Sequence, residues 1–242
     1  MLLVDGKLYE FQPLPTIFFG HQKPVAYVLN PKVASTISQN FIFYVNHGYR
    51  YFDPYQLWHS PIGVLGLGDT EMRPDTLHFF LRLKPELYSI VRDPLRRFIS
   101  AFLSKIFTDE DTTYLPYRDE LTSLHGIDLS PEADPAQSCL AFAKWIAAQE
   151  KPINLDPHFR PQYLNLGVGS RFSVDTILHL EDPDALHAFH AKWTGEEKAK
   201  WFLSLRFNAH TKYKAEDCMS DELKVLVRQI FARDYELFYP NA

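Results

Sequence analysis

The chain has 242 residues, of which 46% are hydrophobic and 15% aromatic, a composition that excludes a disordered or low-complexity protein. Its net charge of −5 argues against a surface built for nucleic acid or anionic membranes, although it leaves room for a local basic site. The two cysteines, Cys139 and Cys218, are too few for a disulfide framework and favour a reducing compartment.

The start of the sequence has no signal-peptide pattern, because Asp5 interrupts the apolar run too early. No stretch reaches the roughly 18 uncharged apolar residues that a membrane-spanning helix needs. We therefore expect a cytoplasmic protein without a transmembrane segment, folded as a single domain over residues 1–242.

Two short apolar segments, each followed at once by a helical pattern, dominate the first half of the chain. Residues 25–29 (VAYVL) predict a buried strand, and apolar residues at helical spacing begin at Ile37. Residues 87–91 (LYSIV) predict a second strand, and Pro94 suits the first turn of the helix after it. That helix has the clearest apolar stripe in the sequence, formed by Leu95, Phe98, Ile99, Phe102, Leu103 and Ile106.

The second half of the chain continues the alternation of strands and helices. Residues 108–133 are polar and predict a long loop excursion, and Asp134 precedes a predicted helix that ends at Gln149. A strand is expected near residues 176–180, and a last helix over residues 220–235. This order predicts an α/β fold with a central, mostly parallel sheet flanked by helices.

The segment after the first strand has the features of an anion-binding loop. It reads Asn30-Pro31-Lys32-Val33-Ala34-Ser35-Thr36. Unpaired N–H groups at the start of the following helix, the Lys32 ammonium and the hydroxyls of Ser35 and Thr36 suit a phosphate or a sulfonate. The alternative is a turn in which Ser35 or Thr36 only caps the helix, since the glycine-rich loop of nucleoside triphosphatases is absent.

The segment after the second strand offers a second anion site. Arg92 stands at the strand end, where its planar guanidinium suits a phosphate, and Ser100 follows about two helical turns later. In the alternative interpretation, Arg92 pairs with Asp93 or a distant acid, and Arg96 and Arg97 are solvated. Ligands of open α/β sheets bind at the carboxyl ends of the strands, which is where both segments lie.

Together, the stretches NPKVAST and IVRDPLRRFISAF resemble the two cofactor loops of the family-2 carbohydrate sulfotransferases. The resemblance implies a P-loop-like fold and 3′-phosphoadenosine 5′-phosphosulfate (PAPS) as the donor. It assigns the 5′-phosphosulfate to Lys32, Ala34, Ser35 and Thr36, and the 3′-phosphate to Arg92 and Ser100. Three later stretches also resemble family segments: residues 156–162 (DPHFRPQ, with Phe159 in place of Trp), 175–181 (DTILHLE) and 234–239 (DYELFY).

The resemblance implies transfer of a sulfuryl group to an acceptor hydroxyl, and a carbohydrate is the expected acceptor. By analogy with phosphoryl transfer, Lys32 would neutralise charge on the departing phosphate. A histidine would accept the hydroxyl proton. His59, between the two loops where related sulfotransferases place a catalytic group, and His158, in the DPHFRPQ segment, are the two candidates.

Two other functions stay open at this point. A P-loop kinase would use ATP and Mg²⁺, but the triphosphate loop is incomplete and no strand ends in an obvious acidic magnesium ligand. A non-catalytic module would bind an adenosine bisphosphate or a sulfated glycan through the same loops. His187 and His190 are spaced as metal ligands but lack a third ligand nearby, so we expect no metal. The net charge of −5 leads us to expect no nucleic-acid partner. The oligomeric state stays open.

Overall fold

A computed structural model describes residues 2–4, 7–9, 17–20, 22–49, 66–67, 82, 84–108, 112–169, 173–204 and 212–241. The chain divides into two compact units. Unit 1 consists of residues 1–91 and 162–205, and unit 2 consists of residues 92–161 and 206–242. Each unit has its own core of buried apolar side chains.

Unit 1 contains the sheets. The described strands are β1 (Leu2–Val4), β2 (Lys7–Tyr9), β3 (Ile17–Phe19), β4 (Val25–Val28), β5 (Gly66–Leu67), β6 (Glu86–Val91) and β7 (Thr176–His179). Strands β1 and β2 form an antiparallel pair, and the other five form one sheet in the order β5-β3-β4-β6-β7. Strands β4, β6 and β7 pair in parallel, whereas β3 is antiparallel to both of its neighbours.

The predicted α/β class is confirmed, and the antiparallel position of β3 has a simple cause. Only residues 20–24 connect β3 to β4, and a parallel pair needs a crossover of a dozen residues or more. The connection is also tight, because a Cβ atom on Gly20 would lie 2.8 Å from the carbonyl oxygens of Lys23 and Val25. Glycine is therefore required at the start of this turn.

The predicted helices are present, with some changes in their bounds. The described helices are α1 (Ser35–His47), α2 (Pro94–Ala101), α3 (Leu115–His125), α4 (Pro135–Ala147), α5 (Gln162–Asn165), α6 (Pro183–Thr194), α7 (Glu196–Ser204), α8 (Asp221–Ile230) and α9 (Ala232–Phe238). Helix α2 continues as a π-helix over Phe102–Phe107. Among the described residues, no helix is long and apolar enough to cross a bilayer.

Two of the expectations for unit 2 were wrong. The predicted loop over residues 108–133 contains α3, which the sequence does not signal because Leu121 is its one buried residue. The helix predicted over residues 220–235 is two helices, α8 and α9, because the buried Phe231 between them leaves the helical conformation at φ −108° and ψ 27°. The unit packs around the ring of Phe142, which contacts Phe98 and Phe159.

Unit 1 packs around aromatic rings that enclose a histidine. His190 is fully buried, with its ring centroid 4.6 Å from that of Phe41 and 6.2 Å from that of Phe202. Neither of its ring nitrogens has a hydrogen-bond partner among the described residues. Burial, with a smaller contribution from the charge of His187, lowers the pKa of His190 from 6.5 to about 4.

Replacing His190 with phenylalanine is expected to make unfolding less sensitive to acid. As the pH falls from 6.5 to about 4, the imidazole of His190 binds a proton in the unfolded chain but stays neutral in the folded chain. His190 therefore lowers the free energy of unfolding over this pH range. Between pH 7 and about pH 4, His190 is expected to lower the free energy of unfolding by on the order of 3 kcal/mol. Urea unfolding at about pH 4 and pH 7 measures it. The exposed His47 provides the control His47→Phe, and equal acid sensitivity in both variants would contradict this prediction.

Candidate functional site

The first predicted loop is anchored by a buried asparagine. Strands β4 and β6 are parallel neighbours, so their carboxyl ends lie at the same edge of the sheet. The side-chain amide of Asn30, just beyond β4, donates to the Ile90 carbonyl oxygen at 3.0 Å and to Gln162 Oε1 at 2.9 Å. Asn165 Nδ2 donates in turn to Asn30 Oδ1 at 3.3 Å. Gln162, from the DPHFRPQ stretch, therefore helps to hold the start of this loop.

The backbone of the loop is unusual at two residues. Lys32 and Ala34 have φ angles of 68° and 66°, in the left-handed region that residues other than glycine rarely adopt. Alanine tolerates this conformation better than a branched side chain does, which gives a reason for the small residue at position 34. Left-handed residues are a feature of backbone turns whose N–H groups surround an anion.

Helix α1 starts directly after this turn without a side-chain cap. Ala34 is its N-cap residue, and the backbone N–H groups of Ile37 and Ser38 donate to the Ala34 carbonyl oxygen at 3.0 and 3.2 Å. The N–H groups of Ser35 and Thr36 come before the first intrahelical bond and have no acceptor in the helix. The alternative in which Ser35 or Thr36 caps the helix is therefore wrong, because both are helical residues.

Four other helices of the protein are capped by side chains, whereas α3 and α9 share the uncapped start of α1. The cap residues are Asp93 on α2, Asp134 on α4, Asp182 on α6 and Ser220 on α8, each accepting a hydrogen bond from a backbone N–H of the first turn. By contrast, α1 has no such cap and no acidic residue in its first turn. No carboxylate in the first turn of α1 therefore neutralises the partial positive charge at the start of this helix.

The second predicted loop lies at the start of α2 in unit 2. Asp93 Oδ1 accepts a hydrogen bond from Arg96 N at 2.8 Å, and Pro94 is the first helical residue, as predicted. Arg92, directly before the cap, and Ser100, near the end of α2, are both half-buried. The Tyr235 hydroxyl lies 3.5 Å from Asp93 Oδ2. The C-terminal DYELFY stretch thus contacts the beginning of this loop.

Arg97 is the most consequential residue that the sequence interpretation misplaced. The alternative interpretation, in which Arg97 is solvated, is wrong, since this residue is 1% exposed. Its guanidinium donates to the carbonyl oxygens of Pro157 at 2.8 Å and Arg160 at 2.9 Å. Burial lowers the pKa of Arg97 to about 10, and the charges of Asp234 and Asp156 oppose this shift. Arg97 therefore holds the 156–160 segment in place as a cation.

His158 lies in that segment, within a small polar cluster. Its Nδ1 is 2.7 Å from Asp156 Oδ1 and 3.0 Å from the Tyr114 hydroxyl, which also donates to Asp156 Oδ2 at 3.0 Å. Burial raises the pKa of Asp156, but the hydrogen bonds and charge of His158, together with the Tyr114 hydroxyl, outweigh it and keep this pKa below its usual value. An ionised Asp156 favours the tautomer of His158 that has its proton on Nδ1.

The remaining predicted site residues either lie together at the start of α1 or lie outside the described residues. Lys32, Ala34, Ser35 and Thr36 lie together at the start of α1, and His59 lies outside the described residues. The sequence gives no signal for Tyr114, because this residue belongs to the stretch predicted as a loop. Asn30, Asp156 and Asp234 stood in recognised stretches, but their roles depend on distant partners. Over the described ranges, no three His, Cys, Asp or Glu side chains lie close enough to share a metal ion.

Comparison with known proteins gave two matches. The sequence model of the group described as "Sulfotransferase family" matches residues 15–240, nearly the whole chain. Cytochrome P450 monooxygenase roqR of Penicillium rubens is 24% identical over 44% of this chain. The chain spans 25% of the length of that curated relative. No solved structure matches the chain.

Proposed function

The chain belongs to the sulfotransferase family, and we propose that it transfers a sulfuryl group from PAPS to a hydroxyl group of a carbohydrate. The observation that carries this proposal is the start of α1, a thirteen-residue helix without a side-chain cap, preceded by two left-handed residues. Such a backbone suits a phosphosulfate, whose negative oxygens accept hydrogen bonds from N–H groups. The proposal includes a P-loop-like organisation of the sheet around this turn.

The residues at this turn fit the 5′ side of the donor. Lys32 would neutralise the negative charge that develops on the phosphate oxygen during transfer, and the hydroxyls of Ser35 and Thr36 would donate hydrogen bonds to it. Ala34 would allow close approach, because its side chain is a single methyl group. When bound, PAPS would supply the sulfuryl group, and the role of these residues is to bind and orient it.

The 3′-phosphate is assigned to Arg92 and Ser100. The guanidinium of Arg92 suits bidentate binding of a phosphate. Ser100 provides a hydroxyl near the end of α2. Both side chains are half-buried, which screens a bound anion from solvent more than a fully exposed site does.

We assign the general base to His158. With the Nδ1 proton directed to Asp156, the lone pair of the neutral imidazole lies on Nε2, where it can accept the proton of the acceptor hydroxyl. Asp156 is then a positioning residue that fixes the tautomer and stabilises the imidazolium formed. His59 is the remaining candidate for the base.

The donor site is tested by thermal unfolding with the product analogue 3′-phosphoadenosine 5′-phosphate. At about 100 times its dissociation constant this ligand adds roughly 2.7 kcal/mol, which for a domain of this size raises Tm by on the order of 5–10 °C. Arg92→Ala is expected to abolish the rise, whereas Arg96→Ala, which removes the exposed arginine of the same helix start, should retain it. No rise with the bisphosphate would sink the donor assignment, and a rise only with ATP and Mg²⁺ would favour a kinase.

A further inference from the structure

Unit 2 contains a cavity that the proposed roles so far leave unused. It has a volume of about 500 Å³, within the range of small-molecule sites. Three aromatic rings line it, those of Tyr114, Tyr117 and Trp145, together with the side-chain amides of Gln149 and Asn154. The flat apolar faces of the rings match the C–H faces of a sugar. The amides, which both donate and accept hydrogen bonds, match its hydroxyls.

The aromatic wall is held firmly by the core of unit 2. The Trp145 ring stacks on the fully buried Phe142 ring at a centroid distance of 5.6 Å. Tyr117 meets Trp145 edge to face, also at 5.6 Å. Trp145 and Tyr117 are half-buried, so part of each ring faces the cavity while the rest is fixed by packing. A wall fixed in advance binds a ligand without the entropic cost of ordering its side chains.

The charges around the cavity balance. Lys151 and Asp156 line it with opposite charges, and the Lys105 ammonium lies 5.2 Å from the centroid of the Tyr114 ring. The pKa of Tyr117 is raised by burial and then by the negative charges of Asp156 and Glu120. Among the described residues that line the cavity, Lys151 is the one cation and Asp156 the one anion. Such a balance suits a neutral ligand and gives a polyanion no electrostatic advantage.

We propose that this cavity binds a neutral sugar unit of the acceptor, next to the unit that becomes sulfated. The proposal rests on the proposed function. Its structural basis is that Tyr114 and Asp156 line the cavity and also contact Nδ1 of His158. Because the proton of the acceptor hydroxyl goes to Nε2, on the other side of the imidazole, the sugar in the cavity is not the reacting unit. The acceptor is therefore an oligosaccharide of two or more units, of which the unit in the cavity is neutral.

The test is titration calorimetry of the full-length chain, saturated with 3′-phosphoadenosine 5′-phosphate, against three neutral trisaccharides and one polyanion. The neutral probes are cellotriose, maltotriose and chitotriose, and the anionic probe is a heparin-derived tetrasaccharide. We expect at least one neutral probe to bind, and Trp145→Ala to raise its Kd about tenfold or more, as for a buried aromatic contact. Asn154→Ala should also weaken binding of this probe. Because Asn154 is exposed, this variant should fold normally, and it therefore tests the cavity even if Trp145→Ala is misfolded.

A matched control is Trp201→Ala in unit 1, which removes a half-buried tryptophan packed on Phe202 and should leave the Kd unchanged. The inference is overturned if no neutral probe binds, if the heparin tetrasaccharide binds more tightly, or if Trp145→Ala and Asn154→Ala bind as wild type does. Thermal unfolding with the bisphosphate separates the two proposals. A neutral sugar that binds to a chain insensitive to the bisphosphate would support the cavity and refute the donor assignment.

Discussion

Replacing His158 with alanine is expected to lower kcat by about 10²- to 10⁴-fold, the usual contribution of a general base. The thermal stabilisation by 3′-phosphoadenosine 5′-phosphate should persist, because the donor is assigned to other residues. Asp156→Asn should also lower kcat, since an amide next to Nδ1 no longer holds the tautomer or stabilises the imidazolium. Steady-state turnover with a sulfated-product readout measures both variants.

Two further histidine variants make this prediction specific. His47→Ala removes an exposed imidazole at the end of α1 and should keep wild-type turnover. His59→Ala tests the other candidate for the base. Full turnover in His158→Ala together with a large loss in His59→Ala would move the base to His59. Full turnover in both would end the histidine-base mechanism.

The second large effect concerns stability. Arg97→Met is expected to destabilise the protein by about 3–5 kcal/mol, because it removes one partner of a buried charge interaction. The substitution removes two hydrogen bonds to the 156–160 segment and the positive charge that interacts with Asp234, which is 0% exposed. The fall in Tm should be roughly 6–20 °C for a domain of this size. Urea unfolding and thermal scans measure it.

Arg96→Met is the matched control, one residue earlier on the same helix. Its side chain is exposed, so its effect should stay within about 0.5 kcal/mol. Combining Arg97→Met with Asp234→Asn should recover part of the lost stability, since the second change removes the buried negative charge. Equal unfolding midpoints for Arg96→Met and Arg97→Met would show that the buried guanidinium has no structural role.

Features set by neighbouring residues could be predicted from the sequence. Pro94 after Asp93 predicted the start of α2, and the apolar run VAYVL predicted β4. The stripe that ends at Ile106 predicted the helix that packs into unit 2, although its last turns are a π-helix. The two loop motifs also pointed to the family, and the match over residues 15–240 confirms it. In each case the signal lies within one short continuous stretch of sequence, where local propensity and periodicity operate.

Local sequence patterns therefore predicted the α/β class, the principal elements and the family. The roles of Arg97, Asn30 and Tyr114 became evident only in the folded protein. The partners of Arg97 lie 60 and 63 residues away, and those of Asn30 lie 60, 132 and 135 residues away. An arginine or asparagine in a sequence reads as a surface residue, since burying such a group is unfavourable unless it is hydrogen-bonded. Folding brings those distant partners together, and no local pattern records that they will meet.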